Sequence, residues 1–126
     1  MCNLGKVVKV VEVPQEKALT AYRCWGAGLE SLFMPKTKTK WRLGRVVRAN
    51  SAPTKTNYCG LYGFKTVELR RNGFRTNPKQ VQGEIKIWGT VVFHEKGYRS
   101  THAEIVKITK GKQLVDVSYR VAEAVA

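Results

Sequence analysis

The chain has 126 residues, enough to bury one hydrophobic core and too few for two independently stable ones, so we expect a single domain over residues 1–126. It carries 23 Lys and Arg against 9 Asp and Glu, a formal net charge of +14, and its hydrophobic content of 43% is that of a folded domain. This composition argues against a membrane protein, since no stretch approaches the roughly 20 apolar residues of a spanning helix, and favours a polyanionic partner, above all nucleic acid.

The cysteines and the N-terminus favour a cytoplasmic protein. Cys2, Cys24 and Cys59 are odd in number and far apart, and they form neither a CxxC pair nor a zinc-ligand set with a nearby histidine. The N-terminus enters a charged, alternating segment at once and shows no secretory signal. We therefore expect reduced thiols, no bound metal and no cofactor.

Two segments near the N-terminus are typical of β-strands. Residues 5–13 (GKVVKVVEV) are dense in β-branched side chains, alternate with a period of two and end at Pro14. Residues 19–25 (LTAYRCW) predict a second strand, which Gly26 and Gly28 end.

Residues 36–48 (KTKTKWRLGRVVR) form the most basic part of the sequence and contain no acidic residue. In an extended conformation alternate side chains share a face, so this segment predicts a cationic stripe around Trp41. Such a stripe suits single-stranded or flexible nucleic acid, because the ring stacks a base while the cations follow the backbone. The alternative is a solvated edge strand with Trp41 in the core. The candidate nucleic-acid-binding residues here are Lys36, Lys38, Lys40, Trp41, Arg42, Arg45 and Arg48.

The sequence after Tyr58 changes to a helical pattern. In YCGLYGFKTVELRRNG the apolar spacing of Leu61, Phe64 and Leu69 fits an amphipathic helix of about three turns, and Gly73 supplies a stop. We predict one main helix around residues 59–71. Its C-terminal cations either extend the cationic surface or complement the helix dipole. These candidate binding residues are Arg70, Arg71 and Arg75.

Residues 80–96 (QVQGEIKIWGTVVFHEK) give the clearest β-strand signal, and Gly89 predicts a bend or bulge within one long strand. Residues 102–109 (HAEIVKIT) predict a further strand or a short helix, and residues 113–125 fit either, with a strand favoured up to Val121. The fold class is therefore α+β and β-rich, a small, strongly bent sheet or partly open barrel with one main helix.

The segment HEKGYR, residues 94–99, predicts a polar hairpin tip. His94, Tyr98 and Arg99 are candidate nucleic-acid contacts, because an arginine fork binds phosphate and a tyrosine ring stacks a base. Adjacent strand residues point to opposite faces, which argues against a catalytic pair of His94 and Glu95. The alternative is a polar turn in which Arg99 pairs with Glu95 or Glu104.

Two motifs, CGLYGFK at residues 59–65 and VQGEIKIWGTVVFHEKGYRSTHA at residues 81–103, resemble an uncharacterised family of small bacterial and phage proteins. Members of that family carry CGIYAYK followed by VxGxVxLWGxVVEHExGYRA. The resemblance covers more than a third of the chain and implies a β-rich fold with a helix between strands, of PUA-like or SH3-like type, but no activity. The chain departs from the family at Phe93, where members usually have an acidic residue, and lacks a cysteine often seen before CGIYA.

The sequence favours a binding domain over an enzyme. It contains no glycine-rich phosphate loop and no paired carboxylates. We predict a small basic domain that binds RNA or DNA through a cationic stripe plus aromatic contacts. One alternative is a phage-type inhibitor or sponge that binds an acidic host protein or an anionic nucleotide. Another is an accessory domain of the ribosome or of tRNA modification.

Overall fold

The computed structural model of the chain describes residues 4–25, 41–68 and 81–110, and this part is rich in β-strands, as predicted. Every pairing between two of its strands is antiparallel. Its elements are strands β1 (Val7–Val13), β2 (Leu19–Trp25), β3 (Val47–Arg48), β4 (Leu61–Phe64), β5 (Val81–His94) and β6 (Gly97–Lys110), with a 3-10 turn at Gln15–Lys17.

The long hairpin of β5 and β6 organises the sheet. Strands β1 and β2 lie end to end along the outer edge of β5, with the 3-10 turn between them. Strands β4 and β3 lie along the outer edge of β6. The two sides of the hairpin meet where Tyr22 of β2 pairs with Phe64 of β4. The sheet is therefore strongly bent, and strand pairing leads from β5 through β2 and β4 to β6, which pairs again with β5.

Gly89 produces the bend in the hairpin. Its φ is +87°, in the left-handed region, and the register of β5 against β6 shifts between Trp88 and Val91. The amide of Thr90 donates to the Thr101 hydroxyl at 3.0 Å. A Cβ at position 89 would collide with that hydroxyl and with the His102 ring. The predicted bulge at Gly89 is confirmed, and only glycine fits it.

The core lies on the face of the hairpin that carries Ile85, Ile87 and Val91, all fully buried. Three tryptophans complete this core: Trp25 at the end of β2, Trp41, which precedes β3, and Trp88 in β5. Each fully buried aliphatic side chain contributes roughly 1.5–3 kcal/mol, so this single cluster is the main source of stability in the described part.

The predicted main helix around residues 59–71 is wrong. Residues Leu61–Phe64 form β4, the next two residues are a bend, only Val67 and Glu68 of the predicted helix are helical within the described part, and residues 69–80 lie outside it. Glycines explain the difference, because they let β4 approach its neighbours too closely for a helix or for larger side chains. Gly60 has a φ of +108° and packs against Pro53 and Arg99, and a Cβ on Gly63 would lie 2.8 Å from the Ala21 Cβ.

The extended stripe predicted over residues 36–48 is also corrected in its described half. Residues 41–46 are irregular, and only Val47–Arg48 forms a strand. Gly44, with a φ of +69°, makes a tight turn there and interrupts any alternation of side chains. The expectation for residues 102–109 is settled as strand, because they belong to β6. The predictions for residues 36–40 and 113–125 fall outside the described ranges.

Candidate nucleic-acid interface

Three exposed arginines follow the outer edge of β6, and we call Arg42, Arg45 and Arg48 the arginine edge. The amide of Arg45 donates to the Arg42 carbonyl at 3.3 Å, so these two residues begin and end one tight turn. Leu43 bridges to Ile105 within this turn, which attaches it to β6. The described half of the predicted stripe is therefore a compact cationic edge rather than a straight strand.

His102 lies beside this edge, directly opposite Arg48 in the sheet. Its imidazole stacks on Trp88, with the ring centroids 5.8 Å apart and the planes at 18°. Burial, and then the charge of Arg48, lower the pKa of His102 below its usual 6.5. The imidazole is therefore mostly neutral at pH 7, and the positive charge of this edge comes from its arginines.

Arg99 lies inside the protein, with 2% of its surface exposed. Its Nη1 donates to the main-chain oxygens of Asn57 at 2.7 Å and Cys59 at 3.1 Å, and to the Asn57 side-chain oxygen at 3.1 Å. Its Nη2 donates to the Thr54 carbonyl at 2.6 Å, and its Nε donates to His94 at 2.9 Å. The guanidinium thus holds the loop before β4, which corrects the expectation of a phosphate-binding fork at Arg99 and of a pairing with Glu95 or Glu104.

His94 is also buried, with 8% of its surface exposed, and its ring atoms bond to other parts of the fold. Its Nε2 accepts from Arg99, so the ring proton lies on Nδ1, which donates to the Gly5 carbonyl at 2.9 Å. Burial lowers the pKa of His94, the bond to Gly5 raises it in part, and the charges of Arg99 and Lys65 lower it further. The expectation of a nucleic-acid contact at His94 is therefore also corrected: this neutral imidazole joins the N-terminal segment to the hairpin.

Tyr98, in contrast, belongs to a partly exposed row of side chains, Lys9, Phe93, Tyr98 and Lys65, which we call the tip ladder. The Phe93 and Tyr98 rings meet edge to face, with centroids 5.1 Å apart and planes at 84°. The Lys9 ammonium lies 4.9 Å from the Phe93 centroid and the Lys65 ammonium 5.8 Å from the Tyr98 centroid. Partial burial raises the pKa of the Tyr98 hydroxyl. Each ring of the pair therefore carries its own cation.

Further lysines surround the turn that joins β5 to β6. The Lys96 carbonyl accepts from the Lys65 amide at 3.0 Å, which brings these two residues together. The Glu95 amide donates to the Lys6 carbonyl at 3.0 Å, and the Lys6 amide donates to the Glu95 carboxylate at 2.8 Å. With Lys9, four lysines and one glutamate occupy the hairpin tip, so the tip is a second cationic surface.

Phe93, Lys9 and Lys65 were missed as site residues by sequence reasoning. A signal for Phe93 exists, since a two-residue turn at Glu95 and Lys96 would place residue 93 opposite residue 98. The position of Lys9 depends on the pairing of β1 with β5, which joins distant parts of the chain. No local pattern contains that information.

Trp41 is 2% exposed and packs against Trp25, with the ring centroids 5.4 Å apart and the planes at 66°. The Arg23 guanidinium covers Trp41 at 4.6 Å from the ring centroid. A base cannot reach the Trp41 ring in this arrangement, so the stacking role predicted for it is replaced by the alternative, a position in the core. The Nε1 atoms of both tryptophans are buried without a hydrogen-bond partner, which makes this contact less stable than its area suggests.

The other candidate residues lie outside the described part: Lys36, Lys38, Lys40, Arg70, Arg71 and Arg75. Among the described residues, no three His, Cys, Asp or Glu side chains form a group that could hold a metal ion. No helix of residues 4–25, 41–68 or 81–110 has the length and apolar character to cross a membrane.

Comparison of the chain with protein-family models, with curated proteins and with solved structures gave no match.

Proposed function

We propose that this protein is a small nucleic-acid-binding domain that holds the phosphate backbone of RNA or DNA along the arginine edge. The observation that carries the proposal is the exposure of Arg42, Arg45 and Arg48 within one short segment that contains no acidic residue. Arginine forks match phosphate oxygens in pairs, and a folded domain with a net charge of +14 gains further from a polyanion.

Phosphate contacts fix the position of a nucleic acid without reading its bases, so the proposed binding tolerates many sequences. Each neutralised phosphate releases counterions, and the logarithm of affinity then falls with the logarithm of salt by about 0.7 per phosphate for single strands and about 0.9 for duplex DNA. Three arginine contacts predict a contribution of about 2–3 to this slope.

We also propose that the bent sheet closes as a small barrel of the SH3-like or PUA-like type. The pair between Tyr22 and Phe64 supports this proposal, because it connects the two outer sides of the hairpin. Such closure would keep the arginine edge and the hairpin tip in fixed relative positions.

The test uses two double variants that change the net charge equally. R42E/R45E reverses the arginine edge, whereas K17E/K55E reverses two exposed lysines in the 3-10 turn and in the loop before β4. Fluorescence anisotropy with labelled oligonucleotides at several salt concentrations should show binding at least about tenfold weaker for R42E/R45E, a shallower salt slope, and a much smaller loss for the control.

Equal losses in the two variants, or an affinity that salt does not change, would overturn the proposal. Circular dichroism of each variant separates a loss of binding from a loss of fold. Polyglutamate serves as the competing polyanion: if it binds as tightly as the oligonucleotides and responds to R42E/R45E in the same way, an acidic protein replaces nucleic acid as the proposed partner.

A further inference from the structure

We propose that the tip ladder is a base-stacking surface, so that the nucleic acid bound by this domain is single-stranded where it crosses the β5–β6 turn. This inference rests on the proposed function, which concerns the arginine edge, and adds a second contact surface with a different chemistry. It names the substrate class: a strand with unpaired bases rather than a continuous duplex.

The tip ladder combines two aromatic rings with two cations. Phe93 and Tyr98 are paired directly across β5 and β6; both rings pack against the core on one side and remain partly exposed. Their rings contact Lys9 and Lys65, two side chains that carry charge on long and flexible stems. An aromatic pair bordered by cations is the combination with which proteins bind single strands, stacking bases while cations follow the phosphates.

A base that stacks on the tip ladder would displace a lysine from its ring. The lysine ammonium groups lie 4.9 Å and 5.8 Å from the ring centroids, within the range of cation–π contacts. An exposed cation–π contact is weaker than the stacking of a base on an aromatic ring. A base can therefore replace a lysine over its ring, and the released ammonium group can move to the neighbouring phosphate. Only an unpaired base offers its face for this exchange, because the faces of duplex bases are stacked on one another.

Buried hydrogen bonds hold the backbone that carries the tip ladder. Adjacent strand residues point to opposite faces, so Phe93 and Tyr98 project from one face while His94 and Arg99 project from the other. His94 and Arg99 are bonded to each other at 2.9 Å, and Arg99 is bonded to the loop before β4. The backbone that carries the aromatic pair is therefore held in place by hydrogen bonds on the opposite face. Little conformational entropy of this backbone is lost when a base stacks.

Charge complementarity selects the occupant. Lys6, Lys9, Lys65 and Lys96 surround the tip, with Glu95 as the carboxylate among them. An acidic peptide would satisfy these lysines but has no flat π-surface for the rings, whereas a single strand satisfies both. Acidic peptide is therefore a competing outcome of the test and not a second proposal.

The closing experiment compares one labelled oligonucleotide as a single strand and as a duplex with its complement. The variant F93L/Y98L removes both ring faces but keeps apolar side chains, and Y58L, at a tyrosine with 68% exposure outside the ladder, is the matched control. We expect F93L/Y98L to weaken single-strand binding about 5- to 100-fold and duplex binding far less, while Y58L changes neither. K9A/K65A should lower the salt slope for the single strand by about 1.4, the value for two phosphate contacts.

A measurement on the unaltered protein keeps the test decisive if F93L/Y98L fails to fold. Ultraviolet crosslinking to an oligonucleotide with 5-bromouracil, followed by mass spectrometry, should give adducts at Phe93 or Tyr98. Adducts confined to other residues, or an unchanged preference for single strands in folded F93L/Y98L, would overturn the inference while R42E/R45E still tests the proposed function. If the unaltered protein binds no oligonucleotide, the proposed function fails first and the inference fails with it. If polyglutamate competes with the single strand and loses affinity equally in F93L/Y98L, stacking is excluded.

Discussion

Replacement of Arg99 by methionine gives the strongest test of the buried hydrogen-bond network. Methionine has a similar length and fills most of the same volume, so the change removes the donors without opening a large cavity. The side chain donates to His94, Cys59, Asn57 and Thr54 and is 2% exposed. The variant therefore measures what these bonds contribute.

The expected loss in the free energy of unfolding depends on which acceptors water cannot reach once Arg99 is removed. Thr54 and Asn57 lie in an exposed or partly exposed loop, so their oxygens can bind water once Arg99 is gone. The Nε2 of His94 lies in a buried side chain, and the Cys59 carbonyl is partly buried. Hydrogen bonds with a charged partner contribute about 1.5–3 kcal/mol each, so two unsatisfied acceptors predict a loss of about 3–6 kcal/mol. That is a large share of the roughly 5–15 kcal/mol that stabilises a domain.

Urea unfolding followed by tryptophan fluorescence measures this loss, because Trp25, Trp41 and Trp88 are all buried. The midpoint should move down by about 2 M for R99M, given a slope of about 1–3 kcal/mol per molar urea. R99K should fall between R99M and the parent, since one ammonium group replaces the charge but not the fork. K96M, at an exposed cation three residues away, is the control and should stay within about 0.5 kcal/mol. A loss below about 1 kcal/mol for R99M would refute the reasoning.

Three further predictions concern pH, backbone and tryptophan exposure. The pKa values of His94 and His102 are lowered in the fold, so the unfolded chain binds more protons below pH 6.5. The free energy of unfolding should therefore fall on acidification, by up to about 1.4 kcal/mol per pH unit per histidine, until the folded pKa is reached. Denaturant titrations should show a flatter pH dependence of this free energy in H94Q, and an unchanged pH dependence would contradict the expectation. G89A should lower the free energy of unfolding by about 2–4 kcal/mol, because its Cβ would meet Thr101 and His102. G44A is also at positive φ but has open space around it, so it should lower the free energy of unfolding by only about 1–2 kcal/mol. Equal melting temperatures for the two variants would contradict this expectation. Native tryptophan emission should be blue-shifted and resist iodide quenching, with or without bound oligonucleotide, and quenching of a folded sample by iodide would contradict the burial of Trp41.

The strands with strong local patterns were predictable from the sequence. Residues 19–25 were assigned as a strand with the bounds that the structure has, and the bulge at Gly89 followed from one glycine in a long alternating segment. The helix around residues 59–71 was predicted wrongly because Leu61 and Phe64 also fit a helical spacing. The glycines at 60 and 63 were the contrary signal, since they serve a close approach of β4 to its neighbours that depends on tertiary contacts.

The site was less predictable than the fold, because the role of a basic or aromatic side chain depends on its burial. Arg99 and Arg45 are alike in sequence terms, yet one is buried among carbonyl groups and the other is exposed on a turn. Trp41 lies among cations in the sequence but against Trp25 in space. The tip ladder combines residues from β1, β5, β6 and the segment after β4, and only the sheet pairing brings them together.

The pairing of β1 and β2 with β5 also has a consequence for biosynthesis. Residues 26–80 separate the end of β2 from the start of its partner, so both N-terminal strands leave the ribosome long before the strand that covers their edges. The valine-rich β1 must remain unpaired during that interval, when association with other chains competes with folding. Lys9 lies within β1 and Lys6 directly before it, and such charges discourage association with other chains. We therefore expect the same lysines that line the hairpin tip in the folded protein to protect the nascent chain before the tip exists.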